Sequence, residues 1–163
     1  KPTIYILNFG NDSIESKKIQ QLKEIIGQKN SFFVEIYGLL ENEIKDLEED
    51  EKKIFLDEYK IKEAGLSQLI EKSYKILNLI TYYTAGPQES RAWSIVNNTK
   101  APAAAGKIHT DFQKGFIRAE VIEYEDFISS GSEEESKNKG LMRSEGKEYI
   151  VKDGDIIHFR YNV

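Results

Sequence analysis

The spacing of apolar positions changes several times along the chain, and each change marks an element. Thr3-Ile4-Tyr5-Ile6-Leu7 is an unbroken run of strand formers, the pattern of a strand buried on both faces. Asn8-Phe9-Gly10-Asn11-Asp12-Ser13 follows as a turn cluster. From Ile14 to Gln28 apolar residues fall at Ile19, Leu22, Ile25 and Ile26, predicting an amphipathic helix capped by Asp12 or Ser13. Phe32, Phe33, Val34 and Ile36 make Ser31 to Tyr37 a second strand. The helix between the strands is the crossover that parallel pairing requires, so the unit is β-α-β. Glu41 to Tyr59 is highly charged, with Ile44, Leu47, Ile54, Phe55 and Tyr59 as sparse apolar positions, and predicts one or two solvated helices. Gly65 is expected to interrupt the chain before Leu66, Leu69, Ile70, Tyr74 and Leu77 mark another amphipathic helix.

Near Leu79 the rhythm shifts to alternating Tyr and Thr. Gly86-Pro87 then turns the chain into Arg91-Ala92-Trp93-Ser94-Ile95-Val96, which predicts a hairpin. The expected domain boundary lies here, giving residues 1–78 and 79–163. Pro102 to Gly106 suits a short helix with Pro in its first turn, and Asp111 to Gly115 a further helical turn. Ile117 to Val121 alternates strictly, as a half-buried strand does, and Tyr124 to Gly140 is polar and helical in pieces. Tyr149 to Lys152 and Ile156 to Tyr161 flank Asp153-Gly154-Asp155, which predicts a second hairpin. The second half therefore reads as a small α+β unit compatible with a β-grasp fold.

Composition narrows the chemistry. The 163 residues carry 23 Lys plus Arg against 28 Asp plus Glu, and the net charge of −5 argues against a surface that coats nucleic acid indiscriminately. Cysteine is absent, which excludes disulfides, thiolate zinc sites and a Cys nucleophile, and fits a cytoplasmic setting. No apolar run approaches the roughly 20 residues of a membrane span. An apolar strand beginning at the third residue is the pattern of a chain that belongs to a longer protein.

The segments Thr84-Ala85-Gly86, Arg91-Ala92-Trp93, Lys100-Ala101-Pro102, Ala104-Ala105-Gly106 and Ile108-His109-Thr110-Asp111-Phe112 occur in that order. Lys114-Gly115-Phe116-Ile117 and Tyr149-Ile150-Val151-Lys152-Asp153-Gly154-Asp155 follow them. Together they resemble the TGS domain that ends Obg-like (YchF-type) P-loop ATPases. Upstream, Lys1-Pro2 and the strand to Leu7 resemble the penultimate strand of that family's nucleotide-binding domain. The resemblance implies an α/β remnant of a P-loop G domain, β-α-β plus helices, followed by an α+β TGS domain of β-grasp fold.

By the same resemblance, Asn8, Phe9, Gly10 and Asn11 fall where the family reads the base, and Tyr37, Gly38 and Leu39 form the second base-side loop. P-loop GTPases place Asn-Lys-x-Asp there, and this family typically Asn-x-x-Glu, associated with ATP. The neutral amide of Asn11 both donates and accepts, which suits adenine better than guanine's paired donors. The implied function is ATP binding and hydrolysis, in preference to GTP, by a regulatory switch associated with the ribosome. ATP and Mg²⁺ are the implied cofactors of the intact parent, and this fragment is expected to hold neither tightly.

Phosphate binding of that kind needs Gly-x-x-x-x-Gly-Lys-Ser/Thr, whose amides cradle the phosphates and whose hydroxyl holds the metal. No segment here satisfies it. Gly140 to Glu148 has one residue too many between its glycines and ends in Glu148. The expectation is a chain that hydrolyses nothing alone. His109 and His158 lie far apart and are read as structural, and Glu48 to Glu51 and Glu133 to Glu135 as solvated faces.

Arg91, Lys100, Lys107, Lys114 and Arg118 make one stretch locally positive, with Asp111 the sole acid between Arg91 and Arg118. Trp93, Phe112 and Phe116 are interleaved there. Cations attract phosphates and exposed rings stack on bases, so this is the candidate face for RNA, the ribosome or a regulatory protein; the aromatics are assigned mainly to the core. The alternative function is a non-catalytic RNA, ribosome or protein binding module.

Overall fold

The apolar run at the start of the chain forms β1 (Ile4–Asn8) in the computed structural model, which describes residues 2–10, 16–28, 31–59, 61, 63–86 and 89–162. Helix α1 (Ser16–Gln28) carries the chain across to β2 (Phe32–Ile36), which pairs with β1 in parallel from Ile4 opposite Phe32 to Asn8 opposite Ile36. The β-α-β unit is as the pattern predicts. The expected caps of α1, Asp12 and Ser13, lie outside the described residues.

The charged stretch then forms two helices, α2 (Gly38–Glu43) and α3 (Glu49–Glu58). Apolar positions one turn apart turn inwards, and Phe9, Ile26, Val34, Leu40, Ile44 and Ile61 are buried. The expected interruption lies between α3 and α4, just ahead of Gly65, which is itself buried and begins α4 (Gly65–Ile76). A Cβ at that position would lie 2.6 Å from Ile36 Cγ1, so glycine lets α4 start against β2. The Gly65 amide donates to Glu41 Oε1 at 2.9 Å, and Lys72 Nζ donates to the Phe33 carbonyl at 2.6 Å.

The chain divides into two compact units, Lys1–Leu77 and Asn78–Val163. The second is a mixed α/β unit built on the hairpin β3 (Leu79–Ala85) and β4 (Ser90–Val96). Helices α5 (Ala101–Ile108) and α6 (Thr110–Lys114) lead into β5 (Phe116–Ile122), and α7 (Tyr124–Ser130) and α8 (Glu133–Asn138) precede β6 (Arg143–Glu145) and β7 (Ile156–Tyr161). The sheet order is β4-β3-β7-β5-β6, with β3 and β7 parallel and the other neighbours antiparallel.

Small side chains let α5 lie close to this sheet. Ala101, Ala104 and Ala105 are fully buried, and Tyr82, also fully buried, donates its hydroxyl proton to the Ala104 carbonyl at 2.9 Å. Tyr82, Ile95, Phe116, Ala119, Val121, Val151, Ile157 and Phe159 complete the core, with Trp93 and Phe112 packed against it.

The predicted hairpin around Asp153-Gly154-Asp155 does not form. Tyr149 to Lys152 is not a strand; Ile150 makes an isolated bridge with Lys100, and β7 pairs instead with β3 and β5. The reason is where the turn's polar groups go. Gly154 N–H donates to the Thr81 carbonyl at 2.8 Å, and Asp153 Oδ1 accepts from Thr81 N–H at 2.7 Å. Asp155 Oδ2 accepts from Tyr149 Oη at 2.7 Å and from Lys152 N–H at 2.9 Å. The turn is thus fastened to β3, and Gly154, at φ +85°, supplies the left-handed step. Among the described residues no helix is long and apolar enough to cross a membrane.

Candidate functional site

At the carboxyl end of β1 the chain leaves the strand in a loop, whereas after β2 the expected loop Tyr37-Gly38-Leu39 is Tyr37 followed at once by the first turn of α2; such strand ends are where parallel sheets present ligands. Phe9 N–H continues the ladder by donating to the Ile36 carbonyl at 2.8 Å. Asn8 Oδ1 accepts from Gly38 N–H at 3.3 Å and ties the two strand ends together. A Cβ on Gly38 would sit 3.2 Å from that oxygen, so glycine permits the approach. The Phe9 ring is buried and lies 5.3 Å from the Tyr37 ring.

Asn8, Phe9, Tyr37 and Gly38 therefore meet. Gly10 is exposed just beyond Phe9, and Leu39, 62% exposed, projects from the first turn of α2. Asn11 lies outside the described residues. Glu41 was not singled out in the sequence, yet its Oε1 accepts from Tyr37 N–H at 3.3 Å and from Gly65 N–H at 2.9 Å, bracing the second loop. A Glu in the first turn of a short helix after a glycine is the signal for such a turn-back.

The amides of Phe9, Tyr37 and Gly38 already have partners within the unit. No cluster of three or more His, Asp or Glu suited to a metal ion occurs among the described residues.

In the second unit the five cations are distributed over several elements. Arg91 lies on β4, Lys100 just before α5, Lys107 on α5, Lys114 on α6 and Arg118 on β5. β3 and β7 intervene between β4 and β5, which sets Arg91 and Arg118 about 14 Å apart across the sheet. Three of the five have carboxylate partners: Arg91 with Glu89 at 3.1 Å, Lys100 with Glu148 at 2.6 Å and Arg118 with Glu120 at 2.9 Å. Lys107 and Lys114 are exposed and have no ion pair among the described residues.

Glu120 also takes Arg160 at 2.9 Å. Burial pushes its carboxyl up, but the hydrogen bonds from Arg118 and Arg160 more than offset this and hold it below the usual carboxylate range. On the far side of the unit Arg143 Nη1 donates to Glu123 Oε1 at 2.7 Å, and that bond lowers the Glu123 carboxyl. Burial raises the Tyr149 hydroxyl, and its bond to Asp155 raises it further.

Of the aromatics, Phe116 is buried and Trp93 and Phe112 line the core's rim, as assigned. Trp93 Nε1 donates to Thr84 Oγ1 at 3.0 Å, and the Arg91 guanidinium lies 5.9 Å from the indole centre. Phe112 stacks on Tyr161 with ring centres 3.8 Å apart. These side chains wall a groove of about 340 Å³ to which Ile108 and His158 also contribute. Tyr161 and His158 come from β7, nearly 70 positions after Trp93, so no local pattern announces the groove.

Comparison with known proteins bears on both sites. The family YchF-GTPase_C, described as a protein of unknown function (DUF933), matches residues 79–162. The chain is 48% identical over 164 aligned residues to a "Ribosome-binding ATPase YchF" of Shigella flexneri, covering all of this chain and 45% of that protein. It is 45% identical over 167 residues to the protein of the same name in Bacillus subtilis (strain 168), covering all of this chain and 46% of that one. The structure of the Schizosaccharomyces pombe YchF GTPase superposes with a TM-score of 0.85 at 32% identity, over 98% of this chain and 43% of that one. The chain thus spans less than half the length of the relatives it matches.

Proposed function

The chain belongs to the YchF family of Obg-like ATPases, and from that premise we propose that it is the C-terminal part of a ribosome-associated, ATP-dependent switch. On this reading residues 1–78 are the end of a P-loop G domain, and residues 79–163 are a TGS domain of β-grasp fold that engages the ribosome. One observation carries it: Asn8 reaches the Gly38 amide across the carboxyl ends of two parallel strands, in a chain 48% identical throughout to a ribosome-binding ATPase. Parallel sheets are ordinarily covered on both faces, yet Ile6 is 51% exposed and Phe32 37% exposed on this two-stranded piece. Those values suit strands that belong to a wider sheet.

Asn8 and Gly38 would hold the loops that flank an adenine, and Asn11 would meet its edge. ATP with Mg²⁺ belongs to the longer protein, because the cradle of amides, lysine and hydroxyl that binds phosphates is not encoded in these residues. The cytoplasm is the setting that ribosome binding implies. A malachite-green assay with ATP and GTP on the purified chain should give no phosphate above a buffer blank, and clear turnover would overturn this assignment. Co-sedimentation with ribosomes tests the TGS half: pelleting that weakens with salt is expected, and none at low salt would refute it.

A second reading, a purely scaffolding first unit on a ribosome, RNA or protein binding module, is favoured by the internal pairing of the Phe9, Tyr37 and Gly38 amides. The intact parent separates the two: Asn8→Ala would raise its KM for ATP if these loops serve the base, and would lower only its melting temperature if they are scaffold.

A further inference from the structure

The groove between β4 and helices α5 and α6 has a chemistry that the ribosome reading does not by itself specify. Its lining includes the Trp93 ring and, further along, the Phe112–Tyr161 stack, with Tyr161 40% exposed. Among the described residues the one carboxylate in its lining is Glu89, and that is already engaged by Arg91. The elements that build it carry cations. Lys107 precedes the lining residue Ile108, Lys114 follows the lining residue Phe112 by two positions, and both are exposed without an ion pair among the described residues. The Arg91–Glu89 pair is largely exposed, so Arg91 can exchange its carboxylate for another anion at little cost.

We propose that this groove takes an unpaired nucleotide of single-stranded RNA, its base against the exposed Tyr161 ring and its phosphates on Arg91 and the lysines of α5 and α6, with Trp93 further along the same groove. The proposal rests on the reading of the second unit as the ribosome-contacting part and names what it contacts. About 340 Å³ accommodates one nucleotide, whereas an RNA duplex buries its bases and a partner helix about 10 Å wide would not enter. Aromatic rings with flanking cations are the combination that binds splayed bases without reading a duplex.

Trp93 is the sole tryptophan, so the site reports on itself. The 163-residue protein is titrated with hexa-adenylate and with a GC-rich RNA hairpin while Trp93 fluorescence is followed, and ribosome co-sedimentation is measured separately. Saturable quenching by hexa-adenylate and not by the hairpin is expected. Arg91→Ala should weaken it by about tenfold with an unchanged melting temperature, since that side chain is exposed. Tyr161→Ser, checked for folding by far-UV circular dichroism, should weaken it similarly.

The outcomes separate the two ideas. Ribosome pelleting without quenching by any single strand overturns the nucleotide assignment and leaves the ribosome reading standing. Quenching without pelleting supports the groove and refutes the ribosome reading. Quenching by a basic ribosomal-protein peptide but not by RNA overturns the proposal in favour of a peptide groove. Quenching equal in wild type, Arg91→Ala and Tyr161→Ser places the RNA elsewhere and overturns it as well.

Discussion

Asp155 shows how much a single side chain can decide. It is 2% exposed and accepts from the Tyr149 hydroxyl and the Lys152 amide, so it terminates one strand-like segment and redirects the chain into β7. Asp155→Ala would leave both donors unpaired, and urea unfolding should show a loss of about 2–3 kcal/mol. Asp155→Asn keeps an acceptor and should cost less. Glu120 carries its charge between two guanidinium groups, its side chain 13% exposed. Its folded-state carboxyl is held below the ordinary value despite the opposing push of burial. Its contribution is therefore complete above the unfolded pKa, near 4.3, and is lost as pH falls through the lower folded value. Thermal melts from neutral to acid pH should show a steeper decline for the wild type than for Glu120→Gln. At neutral pH that variant should be less stable by about 1 kcal/mol.

Whole elements depend on close approaches that only small residues allow. At the start of α4 a Cβ on Gly65 would meet Ile36 Cγ1 at 2.6 Å, Glu41 Oε1 at 2.8 Å and the Glu35 carbonyl at 3.1 Å. The last neighbour is backbone and cannot swing aside, so Gly65→Ala should destabilise the first unit by about 1–3 kcal/mol. Gly146→Ala, which meets nothing within 4 Å, is the matched control in the same urea titration and should change stability little. The same glycine marks where sequence pattern stops informing. Hydrophobic period placed α1, α4, the β3–β4 hairpin and β5, because each buries one face and that face fixes the spacing. Asp-Gly between alternating segments looked like a hairpin because local pattern cannot show that Thr81, over 70 positions away, would take the turn's hydrogen bonds. In the candidate sites, Asn8 and Gly38 were named through the family resemblance, and the parallel β-α-β unit sets those two strand ends side by side. The carboxylate partners of Arg91, Lys100 and Arg118 have no such local signal: Glu89 and Glu120 lie just outside the basic stretch from Arg91 to Arg118, and Glu148 comes to Lys100 from 48 positions away.

Across the whole molecule, geometry is what would reconcile an acidic balance with the proposed RNA partner. A net charge of −5 repels RNA at long range, so any attraction must come from a few cations that face it together. Of the five basic residues between positions 91 and 118, Arg118 is separated from Arg91 by two intervening strands of the sheet, and Lys100 is bonded to Glu148 ahead of α5. That leaves Arg91, Lys107 and Lys114 on the elements that wall the aromatic groove. Counterion release makes this count measurable, because each phosphate neutralised on a single strand contributes about −0.7 to the slope of log affinity against log salt. Three cations predict a slope of about −2, and all five about −3.5. Titrations of single-stranded RNA between about 50 and 200 mM monovalent salt should therefore give the shallower value, and Lys107→Ala with Lys114→Ala should reduce it to that of one contact. A slope near the steeper value in the wild type would mean that Lys100 and Arg118 also engage phosphate, and that the RNA crosses the sheet instead of entering the groove.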